Sequence, residues 1–344
     1  MKEKILVTGG TGYIGSHTVV SLFEEVYDVV IVDNLINSSK STLDGIESIT
    51  GKRPQFSEVD LCKKKDLDKF ISENKDIAAV IHFAALKAVG ESVQKPIQYY
   101  KNNLLGLINL IQCMQENNIN NLVFSSSATV YGEPDFLPIT EDHPSKRGMS
   151  PYGNTKKVGE EIIEDTVRAE KNFKAVSLRY FNPIGAHDSG KLGELPAGIP
   201  HNLMPYITQT AIGKRKELIV FGDDYNTPDG TPIRDYLHVV DLAEAHVKTV
   251  DRLLQNKNKS KFEVFNLGTG QGNSVFEVIR SFEKASGNKL PYKVVDRRDG
   301  DVETTYAATD KASQELKWKA KHSLDDMTSS AWKWEQHVMK KNNK

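Results

Sequence analysis

A tyrosine and a lysine four residues apart, Tyr152 and Lys156 in SPYGNTK, offer the clearest chemistry in this chain. On a helix that spacing puts both side chains on one face. A phenol titrates near pH ~10 and is a poor base at neutrality. An ammonium on the same face stabilises the phenolate and is expected to depress that value. Ser127 closes the run Ser125-Ser126-Ser127 and supplies a hydroxyl that can steady a carbonyl developing from an alcohol. Together Ser127, Tyr152 and Lys156 read as proton transfer at a hydroxyl that is being oxidised. The bland alternative for the pair alone is an aromatic helix start with one exposed lysine.

Oxidation needs a hydride acceptor, and the N-terminus provides a place for one. Gly9-Gly10-Thr11-Gly12-Tyr13-Ile14-Gly15 leaves an apolar run at Ile5–Thr8 and enters a helical pattern. Gly9 permits the tight turn, Gly12 lets backbone approach a pyrophosphate, and Gly15 allows close helix–strand packing. The helix start turns free N–H groups towards phosphates, which assigns the loop, Tyr13 and Ile14 included, to a dinucleotide. Asp33 ends the second apolar run, where a carboxylate accepts both adenosine ribose hydroxyls and repels a 2′-phosphate. With Lys40 as the nearest base, the cofactor is expected to be NAD rather than NADP. Asp60 ends the third run and serves either the adenine or the capping of its own loop.

These groups need a rigid frame. Strands are expected at Ile5–Thr8, Val29–Asp33, Gln55–Val59, Ala79–Phe83, Leu122–Ser126 and Ala175–Tyr180. Helices are expected at Ile14–Glu24, Lys65–Glu73, Asn103–Asn117 and Pro151–Ala169. Continuously apolar strands alternating with helices predict an α/β fold with a doubly wound parallel sheet of the Rossmann type. After Asn182 the rhythm gives way to Pro- and Gly-rich stretches at Asn182–Pro200 and Gly222–Pro232. A helix near Val240–Leu254, a strand at Phe262–Leu267, and helices at Ser274–Ser286, Lys311–Leu316 and Leu324–Lys340 are expected beyond them. The division is therefore 1–182 for the dinucleotide and 183–344 for a smaller mixed α/β substrate domain, with a chain crossover near 240–267.

Arg234 and Arg298 lie in loop-like surroundings and suit either a phosphate clamp or ordinary surface ion pairs. Phe221 fits core and pocket equally. His238 and His246 stand eight apart, which is not the spacing of a zinc helix, and no metal is expected. With 45 basic and 46 acidic residues, the balance gives no argument for nucleic acid or an anionic membrane. No apolar run approaches the ~20 residues that span a bilayer. Cys62 and Cys113 form no C-x-x-C, and an early first strand leaves no space for a secretory signal, so a cytoplasmic enzyme is expected.

The segments GGTGYIGSHT, VDN, FAALKAVGES, SSSATVYG, SPYGNTK and RYFNPIGAH resemble the extended short-chain dehydrogenase/reductases. With HNLMPYI, FGDDYNTPDGTPIRDYLHV and RRDGDV, the resemblance narrows to the UDP-glucose 4-epimerase family and covers essentially the whole chain. It implies reversible C4 epimerisation of UDP-glucose and UDP-galactose through a bound 4-keto intermediate and transient NADH. It implies that Asn34, Asp60, Leu61, Phe83, Ala84 and Asn102 line NAD, that Lys87 reaches its phosphates, and that Tyr180 lies beside the nicotinamide, whose ribose bonds Lys156. On the substrate side it assigns Ser127 and Tyr152 to the sugar hydroxyl, Arg234 and Arg298 to the diphosphate, Phe221 to uracil and Asp301 to the uridine ribose. Asn182 and Asn202 complete the nucleotide-sugar contacts. Ala85 departs from the glycine that many members carry in FAGLKAVG.

Thr305 matches a family position beside C2 of the sugar, where a small residue leaves room for an N-acetyl group. Activity on UDP-N-acetylglucosamine and UDP-N-acetylgalactosamine is expected from it. The resemblance also implies a homodimer, for which Asn103–Asn117 and Pro151–Ala169 are the candidate helices. Two other readings stand. A nucleotide-sugar dehydratase or decarboxylase also begins by 4-oxidation, but related dehydratases carry an acidic pair where this chain has Ala128 and Thr129. An NAD-binding regulator without catalysis would share the fold.

Overall fold

Successive side chains of a strand leave on opposite faces, so a run such as Val29–Val32 requires cover on both. The computed structural model, which describes residues 3–342 except 147, 149, 197, 201 and 299, provides it. His201 and Asp299, within two of the quoted motifs, lie outside the described residues. The strands are β1 (Lys4–Thr8), β2 (Asp28–Asp33), β3 (Gln55–Glu58), β4 (Ile77–His82), β5 (Asn121–Ser125), β6 (Lys174–Tyr180) and β7 (Phe262–Leu267). They form one seven-stranded sheet in the order β7-β6-β5-β4-β1-β2-β3. Every pairing in it is parallel.

The alternation is literal. Ile5, Val7, Val29 and Ile31 enter one core, while Leu6, Val30 and Val32 enter the core on the opposite face. Each such side chain contributes about 1.5–3 kcal/mol by leaving water. Shortening Ile31 to alanine would cost about 2–5 kcal/mol, because the cavity left behind adds to the lost transfer energy. The chain is thus an α/β protein of the doubly wound, Rossmann type.

Helices on the two faces include α1 (Tyr13–Glu24), α2 (Gly106–Glu116), α3 (Pro151–Ala169) and α4 (Val239–Leu254). Two of these elements set the site. β1 lies between β2 and β4, so connections diverge there and open a crevice beyond the carboxyl ends of the strands. α3 starts sharply because Ser150 caps it, its hydroxyl accepting from the Gly153 N–H at 3.2 Å, and Pro151 occupies the first turn. That start places Tyr152 and Lys156 in the first two turns, beside the end of β5.

The expected helix over Asn103–Asn117 is instead a π-turn at Lys101–Leu105 followed by α2. The reason lies in Asn103, whose buried amide accepts from Leu86 N–H at 2.8 Å and donates to Leu86 O at 3.0 Å. A wider turn keeps that side chain pointed inward. Lys311–Leu316, expected as a helix, likewise contains a π-turn at Ala312–Leu316.

α4 and β7 belong to the second half of the chain yet join the sheet, with α4 packed against α1. The remaining second half has its own core. Ile207 and Leu218 meet Phe282 of α5 (Val275–Ser286) and Met327 of α6 (Leu324–Asn342) there. Helices at Ser41–Thr50 and Leu203–Ala211 had no sequence expectation. In the first only Leu43 and Ile46 are buried, too narrow a stripe to read, and Pro205 obscures the second. No helix among the described residues is long and apolar enough to cross a membrane.

Candidate active site

Two observations test whether a dinucleotide fits. Gly9 leaves β1 at φ +72°, and a Cβ there would lie 2.7 Å from the Ala84 nitrogen. At Gly15 a Cβ would come within 2.3 Å of the Gly9 carbonyl oxygen. Only glycine allows this turn and this helix approach. α1 then begins after Gly12 with no side-chain cap, which leaves its first N–H groups for a ligand anion. Asp33 stands at the end of β2 across from the loop, receiving Thr11 N–H at 3.2 Å, Leu35 N–H at 2.9 Å and the Ser38 hydroxyl at 3.0 Å. The cradle and the carboxylate fit NAD.

Around them the assigned residues divide. Ala84 abuts Gly9, and the Phe83 ring lies 4.6 Å from that of His246. Ile14 packs on one sheet core and Leu61 is buried in the other. Asn34 receives Ile36 N–H at 3.2 Å, and Asp60 receives Cys62 N–H at 3.0 Å, which is the loop-capping arrangement. Asn102 donates to Asn103 Oδ1 at 3.0 Å. Tyr13 donates to Gly185 O at 2.7 Å and so ties the glycine loop to the second half. Burial, with Glu194 adding, pushes its phenol well above the usual range.

Ser127, Tyr152 and Lys156 come together at the carboxyl edge. Lys156 is buried and its Nζ donates to Ser125 O at 2.6 Å, with the Phe124 ring centre 5.0 Å away. Burial lowers its pKa to about 8, and the Glu160 charge opposes that fall. Ser127 caps a short 3-10 turn, and its hydroxyl also receives that of Thr129 at 2.9 Å. Tyr180 is buried, with its hydroxyl bonded to Ser125 Oγ.

The expected fall in the Tyr152 pKa is not what this structure shows. Burial pushes the phenol up to about 12, and its hydrogen bond with Ser127 pulls the other way. The physical reason is burial, which outweighs the Ser127 hydrogen bond, while the Lys156 ammonium donates to the Ser125 carbonyl. The group is therefore a phenol in waiting, with a buried cation below it.

A third cluster lies in the second half. Asp301 pairs with Arg298 at 2.7 Å and with Arg234 at 3.3 Å. Arg298 also lies over the Phe221 ring, 5.7 Å from its centre, and 41 % of Phe221 is exposed. Thr305 is in register beside Arg234 in a short parallel pairing. Asn182 is exposed at the start of a strand that pairs with Tyr236–His238. Lys87 and Asn202 meet at one carboxylate, Glu194, at 2.8 and 2.7 Å. Glu194 was not singled out from the sequence, where it is one acid in a loop.

Other residues escaped the sequence reading as well. Glu160, Arg179, Tyr131 and Asn266 form a buried polar chain behind Ser126. The one available signal was Glu160 itself, a turn beyond Lys156 on the same helix face. Asp188, His238 and His322 bring ligand-type atoms within 4.8 Å of one another. His238 Nδ1, however, accepts from Val240 N–H at 3.1 Å, and Nε2 lies 3.1 Å from Ser330 Oγ. Ligation through Nε2 would put the ring proton on Nδ1, against that N–H. His246 Nδ1 bonds Leu242 O at 2.8 Å within its own helix.

The family model described as GDP-mannose 4,6 dehydratase matches residues 6–331. A UDP-glucose 4-epimerase of Schizosaccharomyces pombe is 55 % identical over 336 residues, covering 96 % of this chain and 94 % of the relative. The crystal structure of a Bifidobacterium longum UDP-glucose 4-epimerase with NAD+ and UDP superposes with a TM-score of 0.93 at 49 % identity, over 97 % of this chain and 98 % of that one. A UDP-Glc/GlcNAc 4-epimerase from Campylobacter jejuni gives 0.84 at 36 % identity, over 98 % and 100 %.

Proposed function

This chain belongs to the UDP-glucose 4-epimerase family, and on that premise we propose that it interconverts UDP-glucose and UDP-galactose through a bound UDP-4-ketohexose. The observation that carries the reading is the enclosed group of Ser127, Tyr152 and Lys156 beside a dinucleotide cradle. When bound, NAD supplies the acceptor and donor of hydride at C4. Gly9, Gly12, Gly15, Tyr13 and Ile14 hold its pyrophosphate and Asp33 its adenosine ribose. Asn34, Asp60, Leu61, Phe83, Ala84, Lys87, Asn102 and Tyr180 surround the rest.

Tyr152 takes the proton of the sugar 4-hydroxyl and later returns it. Ser127 holds the same oxygen as it becomes a carbonyl. The Ser127 hydrogen bond opposes the burial that raises the phenol, and the Lys156 charge stabilises the phenolate as it forms. Between the two transfers the ketosugar turns about its link to the diphosphate and presents its other face. Arg234 and Arg298 grip the phosphates, Phe221 stacks on uracil, Asp301 holds the uridine ribose, and Asn182 and Asn202 complete the contacts. On binding, the arginines exchange part of their pairing with Asp301 for phosphate oxygens.

Positions 128 and 129 hold alanine and threonine, which cannot do the acid–base work of a dehydratase. Incubation with UDP-galactose followed by mass and NMR analysis of the product tests the reading. An isomer of unchanged mass with C4 inverted supports it; loss of water refutes it.

Thr305 leaves space beside the sugar, so UDP-N-acetylglucosamine and UDP-N-acetylgalactosamine are converted as well. The similarity to the Campylobacter protein supports that breadth. The dinucleotide is held by residues 1–182 with 240–267 returning to the sheet, and the UDP-sugar by the remainder of 183–344. Two copies pair through α2 and α3. Apolar Ile108 on α2 is 44 % exposed, and Val93 and Ile97 on segments packed beside α3 are 61 and 77 % exposed, a surface that a partner would cover. A persistent monomer mass by light scattering rejects the dimer. The free thiols Cys62 and Cys113 suit a reducing compartment, and we place the protein in the cytoplasm.

A further inference from the structure

We propose that Glu160 is a positioning residue of the reaction: clamped by Arg179, it fixes the Ser125–Ser127 strand end and the seat of the Lys156 ammonium. The inference rests on Ser127, Tyr152 and Lys156 being the catalytic group. Glu160 lies one turn beyond Lys156 on α3 and is only 6 % exposed. Its Oε1 accepts the Ser126 hydroxyl at 2.5 Å and Arg179 Nε at 3.0 Å, and its Oε2 accepts Arg179 Nη2 at 2.6 Å. Ser126 is the middle residue of three. On one side the Ser125 carbonyl receives Lys156 Nζ at 2.6 Å, and on the other stands the Ser127 hydroxyl. One carboxylate therefore sets the backbone that carries both.

The clamp reaches further. Arg179 Nη1 donates to the Tyr131 hydroxyl at 3.0 Å, which donates to Asn266 Oδ1 at 2.6 Å. Asn266 belongs to β7, so the returning strand from the second half is joined to the catalytic edge. A buried ion pair of this kind adds little net stability over apolar side chains of the same volume. What it adds is geometry and one local charge. Two ionisable groups act on Lys156 directly: Glu160, one turn further along its own helix, and His82 from β4, while Arg179 of β6 is paired with Glu160. His82 is held neutral there, by burial and by the lysine itself. Of these groups Glu160 is the carboxylate, and it supports the protonated amine against burial.

The holoenzyme carrying Glu160→Gln, assayed on UDP-galactose, tests this. We expect kcat to fall about tenfold or more with KM changed less than about twofold, the pattern of lost transition-state geometry. We also expect the alkaline limb of the kcat profile to move about one pH unit lower, because an unpaired Arg179 now disfavours the Lys156 ammonium. The double variant Glu160→Gln/Arg179→Met removes both buried charges and spares the fold an orphaned guanidinium. Its alkaline limb should return towards that of the parent while kcat stays low, since Ser126 has lost its charged acceptor. A folded variant, judged by its melting curve, that keeps the parental kcat and pH profile overturns the proposal. So does one in which only the melting temperature and KM change. Should the single variant not fold, kcat of the double variant decides. An inactive parent enzyme counts against the epimerase reaction itself, not against Glu160.

Discussion

Lys156 is 4 % exposed and spends its ammonium on a backbone carbonyl, whereas the Arg298 side chain is 58 % exposed and pairs with Asp301 three residues away. The first group sits at the root of a 19-residue helix capped by Ser150 and packed on β6 of the main sheet. The second sits among two-residue strands and turns. Under the proposed function the difference separates two tasks. Proton transfer needs a fixed, poorly solvated cation, because both its strength and its aim depend on exclusion of water. Gripping a nucleotide diphosphate needs arginines that can exchange Asp301 for phosphate, which favours loops at the surface. Damage to the first region should therefore appear in kcat, and damage to the second in KM.

The largest expected break is at Tyr152. Tyr152→Phe keeps the ring and removes the hydroxyl, so kcat should fall about 10²–10⁴-fold, the range for loss of a general base. NAD binding, followed by titration, should be nearly unchanged. Near-normal turnover of the purified variant would remove Tyr152 from its role.

Next is pH. In the proposed reaction Lys156 acts only while protonated, and burial has lowered its pKa to about 8. Above that value kcat should decline towards about tenfold per pH unit, while KM for the UDP-sugar, governed by arginines that do not titrate there, should hold. A kcat that stays level to pH ~10 would mean that this charge is not needed.

The clamp variants should show the reverse pattern. Arg234→Ala should raise KM for UDP-galactose about tenfold to a hundredfold, since a charge-assisted bond to phosphate is worth about 1.5–3 kcal/mol. Arg298→Ala should do less and lose more of its effect in high salt, because Arg234 is the better enclosed of the two. Equal losses in kcat with KM unmoved would contradict the division of tasks. Smallest for the main reaction is Thr305→Tyr, expected to change UDP-galactose turnover less than about threefold while abolishing conversion of the acetylated sugars. Chromatography of both reactions on one preparation would show whether the pocket at Thr305 sets the substrate range.

The two regions also differ in how far they could be read from sequence. The strands of the first half announce themselves because burial on both faces forces unbroken apolar runs such as Val29–Val32. The glycine loop does so because Gly9 and Gly15 meet backbone where a side chain would stand. Helix α3 was legible as the stretch Pro151–Ala169, while its Ser150 cap is seen only in the fold. The second half was harder, since Leu218–Phe221 and Tyr292–Val295 are four residues each, pair only with one another among the described residues, and leave no periodicity to find. Polar partners were harder still. Glu194 meets Lys87 across 107 residues of chain, and Arg179 meets Glu160 from a different element. Their types are ordinary, and only the fold brings them together. The pKa of Tyr152 was hidden for a related reason: spacing puts Lys156 on the right face, but the burial that raises the phenol exists only in the folded site.

The measurement that tests the account most directly is turnover by the purified protein with no cofactor added. A protein that keeps its NAD and returns the hydride to the same sugar should convert UDP-galactose to UDP-glucose while net absorbance at the reduced-nicotinamide band stays flat. Product analysis on the same samples should show the two UDP-hexoses alone. Accumulation of free NADH in step with an oxidised sugar, seen only when NAD is supplied, would contradict the epimerase account and leave an ordinary dehydrogenase in its place.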